Sequence, residues 1–490
     1  MTRTNQERKY SVRQLAGPVV TTPAGAVRGI RDDFGELYRA VPYAAAPTDA
    51  RRFAPPAPHP GWSGVRDGTQ PSSTAPQPAR DFGRLDMTPY FGPGWVRGGE
   101  YLTVDVRTPA AGDGERPVMV FVHGGGFVTG STSAALYDGS AFARDGIVLV
   151  TVNYRIGIPG FLDLPGAVPN RGLLDVLAAL GWVRDTVAAF GGDPDNVTIF
   201  GQSAGATLVG ALLATPQANG LFQRAIMQSG SGTGAFTPEQ AHRVTVAAAD
   251  ALGVEPTAEA FSSITDERFM EILPALAGLD LRTGSATDPL AGLSPFGLVL
   301  PSQPADTLAD GPARHVDLLI GTNTEEGHLY LVPQGDLESS TEADVLAIAT
   351  RVYANPETGV AAHSAARPDA TPGELRSAVL GDALFGAGTA RMAQAHARIS
   401  SGGTHVYSFG YRSTALDGRL GAAHTVELPF VFDLADKPWL HGETGLLGPD
   451  PAPASLATRI HAAWVSFART GDPGWAAYDP QHPVTEILGS

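Results

Sequence analysis

The stretch that decides the fold is residues 196–205, which read Asn-Val-Thr-Ile-Phe-Gly-Gln-Ser-Ala-Gly. Its first half is an apolar, strand-like run, and Ser203 follows between Gly201 and Gly205 in a G-x-S-x-G pattern. A serine at a sharp turn from strand to helix adopts strained backbone angles, and flanking glycines let the strand and the helix approach closely. Residues 204–213 are small and aliphatic, as a buried helix requires. The stretch therefore predicts a nucleophile elbow that exposes the Ser203 hydroxyl.

A second glycine-rich turn lies upstream of the elbow. Residues 118–122, Val-Met-Val-Phe-Val, form an apolar run short enough for a buried parallel strand. His123 and the three glycines at 124–126 come directly after it. Bare backbone amides in such a loop stabilise the oxyanion of acyl transfer, although the glycines alone would equally suit a flexible turn. In combination with the elbow, the loop favours an oxyanion hole.

A nucleophilic serine needs a base and an acid that orients it, and behind such an elbow these follow in the order Ser, acid, His. Residues 316–321 read as a buried strand, and the loop after it carries Glu325 and Glu326. The strand-like run 405–411 is followed by a loop that carries His424. Both loops follow carboxyl ends of strands, where ligands collect in open α/β sheets. The other histidines considered are worse placed: His242 and His396 fall in predicted helices, His315 and His405 at strand starts, and His482 near the carboxyl terminus.

Further motifs extend along nearly the whole chain. They are residues 153–157, 160–162, 170–175, 179–183 and 190–194 around the elbow, residues 25–29, 41–44 and 62–67 toward the amino end, and residues 464–478 toward the carboxyl end. In order and spacing these segments resemble the type-B carboxylesterase family, the cholinesterase-like branch of the α/β-hydrolases. The resemblance implies a large, mostly parallel central sheet flanked by helices, with helical insertions over an active-site gorge. It also implies a bacterial serine hydrolase that cleaves carboxylic esters of small molecules through an acyl-enzyme.

The resemblance implies a role for each matching position. Ser203 matches the nucleophile, His424 the general base and then acid, and Glu326 the orienting carboxylate. Glu325 is the second choice for that acid, because two adjacent carboxylates cannot both face the histidine. The remaining implied positions are Gly125, Gly126 and Ala204 for the oxyanion-hole amides, and Ser229 for a hydrogen bond that supports the acid.

Several positions depart from the family pattern. Gln202 precedes the nucleophile where the family usually has glutamate, and the loss of a buried negative charge disfavours choline esters. The chain contains no cysteine, so the family's first disulfide is absent. Ala75-Pro76-Gln77 stands where the family has cysteine-proline-glutamine, and Gly99-Glu100-Tyr101-Leu102 where it has an acid-acid-cysteine-leucine run. Without cysteine, thiol catalysis and cysteine-ligated metals are excluded, and the implied chemistry requires neither metal nor organic cofactor.

Charge and hydropathy limit the partners and the compartment. The formal net charge of −16 argues against a nucleic-acid partner, because phosphate binding needs clustered lysine and arginine. Residues 1–14 are polar and charged, so we expect no secretory signal. No apolar run reaches membrane-spanning length, which makes a cytoplasmic protein with no membrane partner the default expectation.

The spread of the motifs predicts the domain organisation. Candidate site residues run from Gly125 to His424 with strands and helices alternating, which favours one elaborated domain over residues 1–490 with a flexible amino terminus at 1–17. Helix-start signals at Thr237, Thr341 and Thr371 predict helices within about 232–300 and 330–403. The family resemblance implies that these insertions roof the active site. Candidate pocket walls are their aromatic residues Phe269, Phe296, Tyr330, Tyr353 and Phe385, with core packing as the alternative, and residues 78–98 predict a mobile rim loop.

Two other functions stay open at this point. Hydrolysis of a carbamate or an amide would use the same serine, histidine and acid. A non-catalytic binding or adhesion protein of the same fold is the alternative from a different class. Such proteins characteristically lack the serine or the histidine, and this chain has both Ser203 and His424.

Overall fold

The computed structural model describes residues 17–112 and 114–489, so residues 1–16 of the predicted flexible terminus lie outside the described residues. The strands of the described part are β1 (Val19–Thr22), β2 (Gly25–Arg28), β3 (Ile30–Asp32), β4 (Gly35–Pro42), β5 (Val65–Asp67), β6 (Thr103–Thr108), β7 (Arg116–Val122), β8 (Val148–Val152), β9 (Gly192–Gln202), β10 (Arg224–Gln228), β11 (Asp317–Asn323), β12 (Thr404–Phe409) and β13 (Glu486–Leu488).

Helices occupy the connections between these strands. They are α1 (Thr88–Phe91), α2 (Ser140–Arg144), α3 (Gly157–Phe161), α4 (Arg171–Thr186), α5 (Ala204–Leu213), α6 (Pro238–Leu252), α7 (Ala258–Ser262), α8 (Asp266–Leu276), α9 (His328–Leu331), α10 (Asp336–Ser339), α11 (Glu342–Val352), α12 (Pro356–Ala366), α13 (Pro372–Gly381), α14 (Ala387–Ile399), α15 (Leu428–Val431) and α16 (Ala454–Thr470). Within the described ranges, none of them has the length and apolar character needed to cross a membrane.

A ten-stranded sheet forms the centre of the molecule, in the order β13-β12-β11-β10-β9-β7-β8-β6-β4-β3. From β13 to β8 every neighbouring pair is parallel, whereas β6, β4 and β3 add antiparallel pairs at one side. A small second sheet contains β1, β2 and β5. The predicted large, mostly parallel sheet flanked by helices is confirmed.

The central strands are buried on both faces. In β7, Val118 and Val120 pack into the apolar cluster on one side of the sheet, whereas Met119 and Phe121 pack into the cluster on the other side. Side chains alternate along a strand, so a continuous apolar run is what a strand covered on both faces requires. This explains why residues 118–122 show no polar alternation.

Three helices begin where the sequence signals predicted. Thr237, Thr341 and Thr371 each accept a hydrogen bond from the amide three residues on, and each forms a reciprocal capping box at the start of α6, α11 or α13. Helices α6 to α8 fall within 232–300, and α10 to α14 fall within 330–403. The strands β7, β9, β11 and β12 run parallel, so the loops after their carboxyl ends meet at one edge of the sheet.

Candidate active site

Ser203 occupies a strained turn between β9 and α5. Its backbone angles are φ 58° and ψ −126°, a region that residues with a Cβ rarely adopt. A Cβ on Gly201 would lie 2.6 Å from the carbonyl carbon of Gly205, and a Cβ on Gly205 would lie 2.0 Å from the Val122 oxygen. Both positions therefore require glycine, for the close approach of strand and helix that the G-x-S-x-G pattern predicted.

His424 and Glu326 meet in the loops after β12 and β11. The His424 Nδ1 atom lies 2.6 Å from Glu326 Oε2, and both side chains are buried. We assign the imidazole proton to Nδ1, because a carboxylate oxygen accepts a hydrogen bond and leaves Nε2 as the basic nitrogen. The other Glu326 oxygen, Oε1, accepts hydrogen bonds from the Ser229 hydroxyl and, at 2.7 Å, from the Asn323 amide. Every partner of Glu326 thus holds it in one orientation toward the histidine.

Glu325, the second choice for the acid, faces the other way. Its carboxylate forms an ion pair with Arg412 and accepts a 2.8 Å hydrogen bond from the Ala422 amide. The two adjacent glutamates therefore have different partners. This agrees with the expectation that only one of two neighbouring carboxylates can face the histidine.

Two aromatic rings hold the imidazole plane. The Phe385 ring stacks on His424 with centroids 4.3 Å apart and an interplanar angle of 7°, and the Tyr330 ring lies 6.0 Å away. Phe385 belongs to a π-helical turn, Asp382–Gly386, that interrupts the helical run from α13 to α14. Such turns often occur at functional sites, because they shift one side chain out of the α-helical register.

Only Tyr330 and Phe385, of the five aromatic residues predicted as pocket walls, line the pocket around Ser203. The prediction was wrong for the other three. Phe269 packs against Phe53 in the core, and Phe296 is buried in the same apolar cluster. Tyr353 donates a 3.0 Å hydrogen bond to Asp382.

Gln202 contacts the histidine directly. Its Oε1 accepts a 2.8 Å hydrogen bond from the Tyr90 hydroxyl, which orients the amide so that its Nε2 lies 3.2 Å from His424 Nε2. With the imidazole proton on Nδ1, the Gln202 amide donates to the basic nitrogen. The Ser203 hydroxyl makes no recorded hydrogen bond with His424 in the described part of the chain, although both residues line one pocket. Catalytic hydrogen bonds are often long in structures without substrate.

The loop after β7 presents amides to the same pocket. Gly125 and Gly126 have φ angles of 111° and 63°, which favour glycine. Ala204 is the first residue of α5, so its amide precedes the first intrahelical hydrogen bond. Among the loop and turn hydrogen bonds of the described residues, none uses the amides of these three residues as donors. All three residues line the pocket that contains Ser203 and His424.

Gln77 supports this loop from behind. Its Oε1 accepts hydrogen bonds from the Thr129 hydroxyl at 2.6 Å and the Gly130 amide at 2.9 Å, and its Nε2 donates to the Gly130 oxygen at 3.1 Å. The sequence analysis treated residues 75–77 only as the site of a missing cysteine. The loop residues that Gln77 binds, Thr129 and Gly130, lie more than fifty residues away along the chain, so no local pattern indicated this role.

The predicted rim segment, residues 78–98, is closed at its base by hydrogen bonds. The Thr74 amide donates to the Val96 oxygen at 3.0 Å, and the Val96 amide donates to the Thr74 hydroxyl at 2.9 Å. The segment contains helix α1 and contributes four pocket residues, namely Arg80, Phe82, Tyr90 and Phe91. Its mobility stays a prediction.

Glu427 is a buried acid behind the histidine that the sequence analysis did not single out. Its Oε2 accepts a 2.8 Å hydrogen bond from Asn323 Nδ2. Burial and the nearby Glu326 carboxylate raise the pKa of Glu427 to about 7. At neutral pH this residue therefore lies close to its titration midpoint.

The pocket around Ser203 is mostly lined by apolar groups and glycines. Among the described residues, no group of three or more His, Cys, Asp or Glu side chains is arranged to hold a metal ion. A separate cavity of about 340 Å³ lies against β4, β6 and β8 and includes none of the predicted site residues. The Ser203 pocket is lined by Arg80, Phe82, Tyr90, Phe91, Gly125, Gly126, Phe127, Ser203, Ala204, Thr207, Ser231, Gly234, Leu290, Leu293, Ser294, Leu329, Tyr330, Leu384, Phe385 and His424.

Comparisons with known proteins identify the family of the chain. The profile of the carboxylesterase family matches residues 16–486. The chain is 35% identical to para-nitrobenzyl esterase of Bacillus subtilis, over 96% of this chain and 95% of the relative. It is 33% identical to phenmedipham hydrolase of Pseudarthrobacter oxydans, over 97% of this chain and 96% of the relative.

Solved structures show the same relationship. The carboxylesterase EST55 of Geobacillus stearothermophilus superposes with a TM-score of 0.81 at 34% identity and covers 96% of both chains. A para-nitrobenzyl esterase structure superposes with a TM-score of 0.79 at 31% identity. The central sheet is therefore that of an α/β-hydrolase, and the chain belongs to the carboxylesterase family.

Proposed function

We propose that this carboxylesterase uses Ser203, His424 and Glu326 as its catalytic triad. The observation that carries the proposal is the 2.6 Å contact between His424 and Glu326 beside the strained Ser203 turn. An imidazole held by a carboxylate on Nδ1 has its other nitrogen available as a base, which is the arrangement that activates a serine hydroxyl.

In the proposed reaction, the Ser203 hydroxyl attacks the ester carbonyl while His424 Nε2 takes its proton. The amides of Gly125, Gly126 and Ala204 stabilise the oxyanion of the tetrahedral intermediate. His424 then protonates the leaving alcohol, and an acyl-enzyme remains. Water, activated by the same histidine, attacks the acyl-enzyme and releases the acid.

Gln202 adds one requirement to this scheme. Its amide donates to His424 Nε2, the same atom that has to accept the Ser203 proton. The Ser203 hydroxyl must therefore replace the Gln202 amide at this nitrogen before attack. The Tyr90 hydroxyl donates to Gln202 Oε1 and so fixes the present orientation of the Gln202 amide. This is the orientation that the amide leaves when the Ser203 hydroxyl takes its place.

The same groups would cleave a carbamate through a carbamoyl-enzyme, and an amide with an amine as the leaving group. The test is intact mass after incubation with a fluorophosphonate, for wild type, Ser203→Ala and His424→Ala, together with p-nitrophenol release from a butyrate ester and a carbamate. We expect a single adduct on the wild type only, with faster turnover of the butyrate ester. Full activity in Ser203→Ala would refute the assignment of the nucleophile, and an unlabelled, inactive wild type would favour a binding protein.

A further inference from the structure

Arg80 is a cation placed directly beside the candidate oxyanion hole. It belongs to the rim segment 78–98 and lines the pocket that contains Ser203 and His424. A Cβ built on Gly126 would lie 3.7 Å from Arg80 Nη2, so the guanidinium reaches the loop whose amides face the substrate carbonyl.

The arginine has no counter-ion among the described residues. The chain has 50 Asp and Glu residues, and two other arginines near this region are paired, Arg97 with Glu267 and Arg66 with Glu100. Within residues 17–112 and 114–489, Arg80 forms no ion pair and no side-chain hydrogen bond, and the titratable groups near its guanidinium are the neutral hydroxyls of Tyr330 and Tyr90.

The guanidinium lies in a mixed environment. Arg80 is solvent-exposed as a residue, and the protein atoms around its guanidinium lower its pKa through partial desolvation. Phe82, Phe91 and Leu293 supply apolar walls in the same pocket. A cation that is open to solvent, lines the pocket of the nucleophile and has no acidic side chain beside it is available to an anionic group that enters with the substrate.

We propose that Arg80 binds a carboxylate of the substrate, so that the preferred substrates of this enzyme are anionic esters such as the monoesters of dicarboxylic acids. The inference rests on the ester hydrolysis proposed above and names its substrate class. A guanidinium binds a carboxylate through two parallel N–H···O hydrogen bonds, which gives both affinity and orientation. The carboxylate takes no part in bond breaking, since water still cleaves the ester to acid and alcohol at Ser203.

The competing role for Arg80 is stabilisation of the oxyanion itself. In that role the arginine would act on the carbonyl oxygen of every ester, so its removal would slow charged and neutral esters equally. A carboxylate site acts only on esters that carry the negative charge. The ratio of kcat/KM between matched anionic and neutral esters therefore separates the two roles.

The experiment uses two matched pairs of esters. In the first pair, monoethyl glutarate carries a carboxylate on the acyl side, and its carboxamide isostere is neutral. In the second pair, the butyrate ester of 4-hydroxybenzoate carries the carboxylate on the alcohol side, and that of 4-hydroxybenzamide is neutral. The enzymes are wild type, Arg80→Gln and Arg84→Gln. Arg84 is an exposed arginine of the same segment that does not line the pocket, so its variant removes the same charge elsewhere.

In Arg80→Gln we expect the ratio of kcat/KM for anionic over neutral ester to fall about tenfold to a hundredfold in at least one pair, as expected for loss of a charged hydrogen bond. Arg84→Gln should keep the wild-type ratio. An unchanged ratio in both pairs, or an equal loss for charged and neutral esters, would overturn the anion site while leaving ester hydrolysis intact. A wild type that cleaves none of the four esters would refute the proposed function as well.

Discussion

At the level of single residues, the hydrogen-bond partners of two neighbouring glutamates distinguish which of them faces His424. Glu326 accepts from His424, Ser229 and Asn323, whereas Glu325 pairs with Arg412. The two residues have the same chemistry and adjacent positions in the chain. Only Glu326 can keep the imidazole in the tautomer that leaves Nε2 basic.

We expect Glu326→Gln to lower kcat about a thousandfold to ten-thousandfold, because the amide no longer stabilises the imidazolium or its tautomer. The matched control is Glu325→Gln, which should change kcat by no more than about twofold. Steady-state kinetics with p-nitrophenyl butyrate, normalised to sites titrated with a fluorophosphonate, measure both variants. Comparable losses in the two variants would contradict the assignment of the acid.

Residues in fixed local patterns, or at positions matched by the family resemblance, were predictable, and other residues with distant partners were not. Gly201 and Gly205 act within a single turn, so five letters of sequence indicated both their spacing and their need for glycine. Tyr90 reaches Gln202 across 112 residues, and Arg80 lines the pocket without an ion pair or a side-chain hydrogen bond to the described residues. Irregular segments of this kind show no periodicity from which such contacts follow.

At the scale of elements, helix α4 ties the loop after β8 into the core. Arg155 donates from Nε and Nη2 to both carboxylate oxygens of Asp175, at 2.8 and 2.7 Å, and both side chains are fully buried. Arg171, on the same helix, donates to the carbonyl oxygens of Pro159 and Leu162. This helix thereby fixes residues 155–162, whose Gly157 amide donates to the Phe127 oxygen, directly after the glycines of the candidate oxyanion hole.

Asp175→Asn should lower the free energy of unfolding by about 3–5 kcal/mol, because it leaves the buried Arg155 charge without its counter-ion. Asp185→Asn, at the exposed end of α4 where Asp185 pairs with Arg184, is the control and should cost less than about 1 kcal/mol. Urea unfolding followed by tryptophan fluorescence measures both. Equal effects would show that the buried pair contributes no more than a surface pair.

The positions of helices along the chain were easier to predict than the contacts that each helix makes in the folded protein. Capping signals at Thr237, Thr341 and Thr371 located the helix starts, because a cap is formed within one turn of chain. The assignment of pocket walls failed for Phe269, Phe296 and Tyr353. Which face of an insertion helix meets the pocket depends on the packing of whole elements, and the periodicity of a helix carries no information about its partner.

Across the whole molecule, buried acids make stability depend on pH. Glu427 has a pKa of about 7 in the folded protein, whereas an unfolded glutamate titrates near about 4.3. Between these values the folded state binds more protons than the unfolded state. The contribution of Glu427 is therefore fully present below about pH 4 and is lost as the pH rises through about 7. Burial raises the pKa of Asp105 to about 6, so its contribution has the same sign.

We expect Glu427→Gln to remove this part of the pH dependence. Relative to the variant, the wild type should lose on the order of 2–3 kcal/mol of unfolding free energy between about pH 4.5 and pH 8. Urea unfolding at one-unit steps of pH measures the difference, with Glu443→Gln, an exposed glutamate, as the control. A constant difference between wild type and Glu427→Gln over this range would show that Glu427 titrates normally.

The rim segment is closed between Thr74 and Val96 by contacts that thiol reagents do not affect. The two ends are joined by main-chain and hydroxyl hydrogen bonds, and the chain contains no sulfhydryl group that could replace or compete with them. Thiol reductants, oxidants that act on sulfhydryls and maleimide reagents consequently leave this closure unchanged. One cysteine introduced into the segment would be the only thiol of the protein, so a fluorophore attached there would report rim opening from a single position.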